Sequence, residues 1–408
     1  MGSWASKPDE ADQEPPRGAG SNDASSSAAP DPPLARTTSR PGDLLNPLPE
    51  CPPGFTEHIY KRAHGVDVPL RIWPAPASYT PAPWVFWVHG GSYIGGKWSI
   101  PTANVSVGFA ARGYHVVSVG HRLTPHVGVS EVIEDLVDAY VWLRANLPSI
   151  LGNDKVSLDD SVIYGGSAGA TLAFNTAESP RVRAHPPRAL VFLYGGVDLT
   201  DKWYHTPQDI PLPPYLLPHE ADESDLEAWV MDRDARKAIT QNPWDDEVPP
   251  KASLASLRRH LGIPDYEVTR EVLFRIDAAT YLTKKRRITA TFVRKERFPD
   301  PVEWHAELAR WSPLFIADTL DTFPPTYIMQ GEADEYVPLY EPKKLAHKLR
   351  ERGWEVVEKY APGGRHCFDW AYTSPEQEGW KDYIDPLLDF VDEKTGRRGR
   401  AGQEAAAA

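Results

Sequence analysis

Short apolar runs recur through the middle of this 408-residue chain, with segments of helical period between them. The runs lie at 57–61, 68–73, 84–88, 114–119, 161–165, 189–194, 325–330 and 354–360. Helix-period segments follow several of them, at 101–112, 131–146, 168–178, 341–352 and 379–392. Within 131–146, Val132, Leu136, Val137, Tyr140 and Leu143 share one face. Strands that alternate with helices predict an α/β fold, a mostly parallel sheet covered on both faces. This alternation is the strongest constraint on what the chain can become.

It breaks between about 200 and 312, a stretch with Pro-rich turns (Asp209–Pro218), helix-like pieces at 222–240 and 252–261, and many aromatics. That is too long for a loop inside a compact domain, so an inserted subdomain is expected. Its aromatics either wall an apolar pocket or fill the insert's own core, and the two uses are compatible. Residues 1–50, rich in Pro, Ser, Ala and Asp, predict a disordered arm, and 393–408 a disordered tail. The expected division is a core of 51–199 and 313–392, with 200–312 inserted as a cap.

The local chemistry is most specific at Ser161–Thr171, an apolar strand followed by Gly165-Gly166-Ser167-Ala168-Gly169 and a helix start. G-x-S-x-G between strand and helix is a nucleophile elbow: a sharp turn lifts the Ser167 hydroxyl out of the sheet, and flanking glycines let backbone pass close. A serine needs a base and the base needs an orienting acid, in the chain order Ser, acid, His for this architecture. Asp334 follows the strand at 326–330 and His366 follows the one at 354–360, so both stand at the carboxyl ends of strands, where open α/β sheets build sites. Glu332 and Glu335 flank Asp334 and are open alternatives, and Asp198, after the preceding strand, is a reserve acid.

A second glycine-rich turn, His89-Gly90-Gly91, follows the 84–88 strand. Gly91–Lys97 reads G-x-x-x-x-G-K, close to a nucleotide-binding P-loop, yet the next residue is Trp98 where that loop needs Ser or Thr for Mg²⁺. The turn instead suits an oxyanion hole, with amides of Gly90, Gly91 and Ala168 facing the tetrahedral oxygen.

In this order, "HGGSYIGG", "HRLTP", "YGGSAGA", "GEADEYVP" and "GGRHCF" resemble the hormone-sensitive-lipase-like (α/β-hydrolase fold-3) branch of the α/β-hydrolases, over about residues 55–392. The resemblance implies an α/β-hydrolase fold with an eight-stranded, mostly parallel sheet. It implies a lid from the N-terminal segment and an insert after the sixth strand, and a Ser167–Asp334–His366 triad with Gly90, Gly91 and Ala168 at the oxyanion. Family members hydrolyse carboxylic esters without metal or cofactor, so neither is expected here. Three positions depart from the family: Ser92 replaces its third glycine, Gly166 the acid before the elbow serine, and His121 the aromatic of its "YRLAP"-like motif. These leave the substrate open, an apolar or aromatic small-molecule ester being expected. The rivals are an amidase or formamidase on the same scaffold, and a hydrolase-like receptor, which typically lacks the histidine that this chain keeps.

Net charge and cysteine content bound the partners. A formal charge of −13 argues against nucleic acid, which requires a basic stripe. Cys51 and Cys367 are too few for a disulfide framework or a zinc site, and no run reaches a membrane span. Without a secretory signal, the expected location is cytoplasmic. Gly2 fits an N-myristoylation pattern, so membrane contact is expected only if Gly2 is acylated. The choice between monomer and homodimer is open.

Overall fold

Eight strands form one sheet in the computed structural model, which describes residues 49–207, 221–243 and 254–397. They are β1 (Thr56–Ala63), β2 (Val66–Trp73), β3 (Ala82–Val88), β4 (His115–Val119), β5 (Val156–Gly166), β6 (Ala189–Leu193), β7 (Thr326–Gly331) and β8 (Val356–Ala361). Their order across the sheet is β1-β2-β4-β3-β5-β6-β7-β8. The first two pairings, β1 with β2 and β2 with β4, are antiparallel, and the rest are parallel. The switch follows from the connections. His64 and Gly65, both at positive φ, make the two-residue turn of a hairpin, whereas a parallel return needs a long crossover.

The main helices are α1 (Val129–Leu151), α2 (Ala168–Glu178), α3 (Glu223–Val230), α4 (Leu254–Leu261), α5 (Arg270–Lys285), α6 (Ile288–Val293), α7 (Pro301–Trp311), α8 (Tyr340–Glu351) and α9 (Asp385–Lys394). All of β3 is buried, and its side chains divide by alternation. Trp84, Phe86 and Val88 join Val132, Leu136, Tyr140 and Leu143 of α1 in one core, while Val85 and Trp87 join Val105, Phe109 and Leu388 in the other. Burial on both faces is why the parallel strands read as continuous apolar runs.

Between β6 and β7 lie five of these helices, α3 to α7. The sequence reading recovers helical pieces near α3 and α4 but gives none at α5, α6 or α7. On α5, Val272, Ile276, Ala279 and Leu282 do repeat at helical spacing and are buried. The pattern is masked by Arg275, whose side chain is fully buried on the same helix. Arg275 pairs with Glu271 at 2.9 Å and donates to the carbonyls of Thr124 (2.8 Å) and Ile94 (3.3 Å), tying α5 to the loops after β4 and β3.

The segment expected as a helix over 101–112 is helical over 103–111, with a π-helical stretch at Asn104–Phe109. The arm expected over 1–50, including the Gly2 acylation pattern, lies outside the described residues apart from Pro49 and Glu50. The tail from 398 also lies outside them, but Glu393 and Lys394 belong to α9. That helix end is anchored: Lys394 pairs with Glu355 at 2.6 Å, and Tyr114 donates to Asp392 at 2.9 Å.

One buried ion cluster fixes the loop after β4. Arg122 donates from Nε and Nη2 to the two carboxylate oxygens of Asp135 on α1, both at 2.8 Å, and Lys61 of β1 reaches the same carboxylate at 2.9 Å. Arg122 and Asp135 are almost entirely shielded from solvent, so removing one partner strands a buried charge. Asp135→Ala is expected to lower unfolding free energy by about 3–5 kcal/mol in a denaturant titration. Asp67→Ala, which breaks the exposed Arg62–Asp67 pair, is expected to leave the unfolding midpoint nearly unchanged in the same titration.

Candidate active site

Strand β5 runs directly into Ser167, whose φ of 55° and ψ of −129° turn the chain before α2 begins at Ala168. A non-glycine residue held there stores about 1–3 kcal/mol of strain, so the surroundings must impose it. They do so by close packing. A Cβ on Gly165 would stand 2.1 Å from the Gly169 carbonyl oxygen, and one on Gly169 would stand 2.4 Å from that of Val88. The Ser167 amide donates to Leu193 O of β6 at 2.9 Å, holding the elbow at the sheet's carboxyl edge.

His366 and Asp334 arrive from the loops after β8 and β7. The Ser167 hydroxyl lies 2.8 Å from His366 Nε2, and His366 Nδ1 lies 2.8 Å from Asp334 Oδ2. In the neutral tautomer this contact requires, Nδ1–H donates to the carboxylate and Nε2 accepts from the hydroxyl. The other carboxylate oxygen of Asp334 accepts from the amides of Tyr336 and Val337, both at 2.8 Å. The two loops are stitched together, since Ala333 N donates to Gly364 O at 2.8 Å and Glu332 N donates to Ala361 O at 2.9 Å.

Of the alternative acids, Glu335 accepts from the His366 amide at 3.2 Å and from Arg365 at 2.7 Å, while Glu332 is exposed. Asp198 accepts from Thr200 and pairs with Lys344 at 3.5 Å. Only Asp334 meets the imidazole ring. Asp198, Asp201 and Glu341 are the one carboxylate trio close enough to share a metal among the described residues. Lys344 already reaches all three, at 3.5, 3.0 and 3.3 Å, so a metal there would have to displace its ammonium group.

The Gly90–Gly91 turn presses onto the elbow. A Cβ on Gly90 would come within 3.1 Å of the Ser167 Cβ and 2.8 Å of Gly166 O. Gly91 has φ +119°, and its carbonyl accepts from Ile94 and Gly95 amides at 3.0 and 2.8 Å. Ser92, at the expected glycine position, keeps a left-handed φ of 54° and lines the cleft beside Ser167 and Ala168. Beneath this loop, His121 takes up the departure from the expected aromatic, stacking its ring on His89 at 4.4 Å and 7°. His89 Nδ1–H donates to Gly90 O at 2.7 Å. Burial pushes both imidazoles toward neutrality, His121 to about 4.

The cleft above Ser167 encloses about 620 Å³, including its open mouth, with Tyr93, Leu199, Tyr204, Leu282 and Ile288 among its walls. Leu282 and Ile288 come from α5 and α6, so the insert supplies one side. Tyr204 reaches the cleft from the insert, whereas Trp229 and Phe274 pack in a separate small core with Leu226, Val230 and Leu282.

Two residues near the imidazole escape the sequence reading. Asp369 is buried, and Asn104 Nδ2 bridges it at 2.7 Å to the Tyr164 hydroxyl at 3.0 Å. Burial raises the Asp369 carboxyl to about 6, against hydrogen bonds from Tyr194 and Asn104. Asp369 lies three positions after His366 and was open to notice; nothing local marks Asn104, which meets it across 265 residues of chain.

Comparison with known proteins points to the same fold. The family profile described as alpha/beta hydrolase fold matches residues 85–257, and that of the prolyl oligopeptidase family matches 275–398. The first spans the glycine turn and the elbow, the second the acid and histidine loops. Among solved structures, the chain is similar to an alpha/beta hydrolase superfamily protein from Enterococcus faecalis (19% identity, 80% of this chain, 96% of that one, TM-score 0.54). It is also similar to esterase B from Lactobacillus Rhamnosis (15% identity, 89% and 93%, TM-score 0.54). These likenesses and the sheet described above show that the chain has the α/β-hydrolase fold. Among curated proteins it is similar to the non-reducing polyketide synthase stbA of Stachybotrys bisbyi, at 28% identity over 82% of this chain. A second such relative is ascC of Acremonium egyptiacum, at 26% identity over 82%. The chain spans only 14% and 15% of the lengths of these two relatives.

Electrostatics of the site make a direct test available. Burial opposes the imidazolium of His366, but the adjacent Asp334 carboxylate outweighs it and holds the ring well above its ordinary 6.5. An NMR titration of His366 should therefore show a midpoint above 6.5. In Asp334→Asn the midpoint should fall by about 1–3 pH units, because burial then acts without the opposing charge. An unchanged midpoint would show that Asp334 is not the group that holds the proton.

Proposed function

We propose that the protein is a serine hydrolase that cleaves a carboxylic ester of a small apolar or aromatic substrate. The observation that carries this reading is the continuous hydrogen-bonded line from the Ser167 hydroxyl through His366 to Asp334 at the floor of the cleft, two contacts of 2.8 Å. In the reaction, Ser167 Oγ attacks the ester carbonyl as His366 Nε2 takes its proton. The tetrahedral oxygen faces the amides of Gly90, Gly91 and Ala168, and each such donor contributes about 3–4 kcal/mol to transition-state stabilisation. Collapse expels the alcohol, protonated by His366, and leaves an acyl group on Ser167. Water, deprotonated by the same imidazole, then releases the acid. Asp334 keeps the ring in the productive tautomer and stabilises its cation.

The helices α5 and α6 act in this reading as the cap over the acyl or alcohol group. The substrate is a small molecule; no nucleic acid takes part, in keeping with the charge of −13. Both cysteines are free thiols, which supports a cytoplasmic site, and no helix among the described residues is long and apolar enough to cross a membrane. Membrane contact depends on acylation of Gly2.

A thioester is the second reading, favoured by the similarity to polyketide synthases over 82% of the chain, since the same nucleophile and base cleave either bond. An amide is the third, favoured by the match of 275–398 to the prolyl oligopeptidase family. A panel of one acyl group as para-nitrophenyl ester, alkyl thioester and anilide ranks the three by kcat/KM.

A fluorophosphonate probe followed by mass spectrometry is expected to modify Ser167. Labelling should be lost in Ser167→Ala and His366→Ala, with kcat on an activated ester falling by several orders of magnitude. A folded protein whose Ser167 stays unlabelled and which turns over no activated ester contradicts the hydrolase reading.

A further inference from the structure

One wall of the cleft carries a charge that the ester chemistry does not use. Arg286 closes α5 in a left-handed conformation, φ 51°, and lines the cleft together with Ser167. Its guanidinium lies 4.8 Å from the ring of Trp203. No carboxylate among the described residues comes within ion-pair distance of it, and its guanidinium makes no hydrogen bond to any of them. Its two chain neighbours are paired: Lys285 with Glu223 at 3.4 Å, and Arg287 with Glu227. The fully buried arginines are paired as well, Arg71 with Glu57 at 2.9 Å, Arg122 with Asp135 at 2.8 Å and Arg275 with Glu271 at 2.9 Å.

We propose that Arg286 is a specificity-determining residue that receives a carboxylate on the substrate, away from the bond that is cleaved. The proposal rests on the hydrolase reading and narrows it to esters whose acyl or alcohol part ends in an anionic group. A half-buried cation with no counter-charge among the described residues costs free energy that an incoming carboxylate recovers. The Trp203 ring restrains the guanidinium from one side, and the N–H edges of a guanidinium fit a carboxylate through two parallel hydrogen bonds. Burial also lowers the guanidinium from its ordinary range, with only the phenols of Tyr336 and Tyr204 acting the other way. The neighbouring walls, Leu199, Leu282 and Ile288, offer an apolar spacer between that charge and Ser167. The competing account is structural: a cation at a helix C-terminus interacts favourably with the dipole and the last carbonyls. That account predicts altered stability and unaltered selectivity.

The test compares para-nitrophenyl hydrogen adipate with para-nitrophenyl hexanoate, acyl chains of equal length that differ in a terminal carboxylate against a methyl group. The readout is the ratio of their kcat/KM values in the wild-type protein, Arg286→Gln and Arg286→Lys. Arg286→Gln is expected to lower the adipate-to-hexanoate ratio about tenfold or more, mainly through KM, with partial recovery in Arg286→Lys. Calorimetric binding of monomethyl adipate to Ser167→Ala, with and without Arg286→Gln, reads the same subsite without turnover. Arg286-dependent binding combined with no hydrolysis of either ester would defeat the hydrolase reading and keep the anion subsite. An unchanged ratio, or monomethyl adipate binding that is absent or indifferent to Arg286, overturns the subsite.

Discussion

The site depends on one backbone contact: three segments of main chain packed at the carboxyl edge of the sheet with no room for side chains between them. The elbow at Gly165–Gly169, the end of β3 at Val88–Gly90 and the end of β6 at Leu193 meet within hydrogen-bond or van der Waals distance. Ser167 is held at a positive φ because its neighbours leave it no other course. The strain is offset by the parallel sheet, whose two buried faces fix where each strand ends. Once β3, β5, β7 and β8 are in register, the glycine turn, the serine, the acid and the histidine come to one edge without further adjustment.

Electrostatics then separate the imidazoles by role. His89 and His121 lie stacked and buried with no carboxylate among the described residues beside them, and burial keeps them neutral supports of the glycine turn. His366 is equally buried but faces Asp334, and the balance tips toward the proton. The same contrast separates the acids. Asp334 has two backbone amides and an imidazole, whereas Asp198 and Glu341 are spent on Lys344 and on capping amides. A histidine where an aromatic ring was expected, at position 121, therefore leaves the active geometry intact by acting as a flat ring.

Much of this was legible in the sequence because it rests on local patterns. Each of the eight apolar runs overlaps a strand, and the elbow, the glycine turn, Asp334 and His366 are marked by glycines or by strand ends. What stayed hidden depends on contacts across the chain. Three acidic residues stood in the loop after β7, and only the fold shows which one meets the ring. Helix α5 went unread because buried Arg275 breaks its apolar face, and that arginine is explicable only through carbonyls of Ile94 and Thr124 far away in sequence. Asn104 carries no local mark at all, since its partner Asp369 lies 265 residues on. The aromatic content of the insert pointed to the cleft, whereas Trp229 and Phe274 serve the insert's own packing and Tyr204 alone among the insert's described aromatics lines the cleft.

The central claim is convergence: the Ser167 hydroxyl, the amides of Gly90, Gly91 and Ala168, and the His366 ring all address one reacting atom. A crystal structure of the protein inactivated by an alkyl phosphonate measures this most directly. The account predicts phosphorus bonded to Ser167 Oγ, the phosphoryl oxygen accepting from amides of the glycine turn and Ala168, and His366 Nε2 within hydrogen-bond distance of the adduct. A phosphonate bonded elsewhere, or a phosphoryl oxygen directed away from those amides, would contradict it.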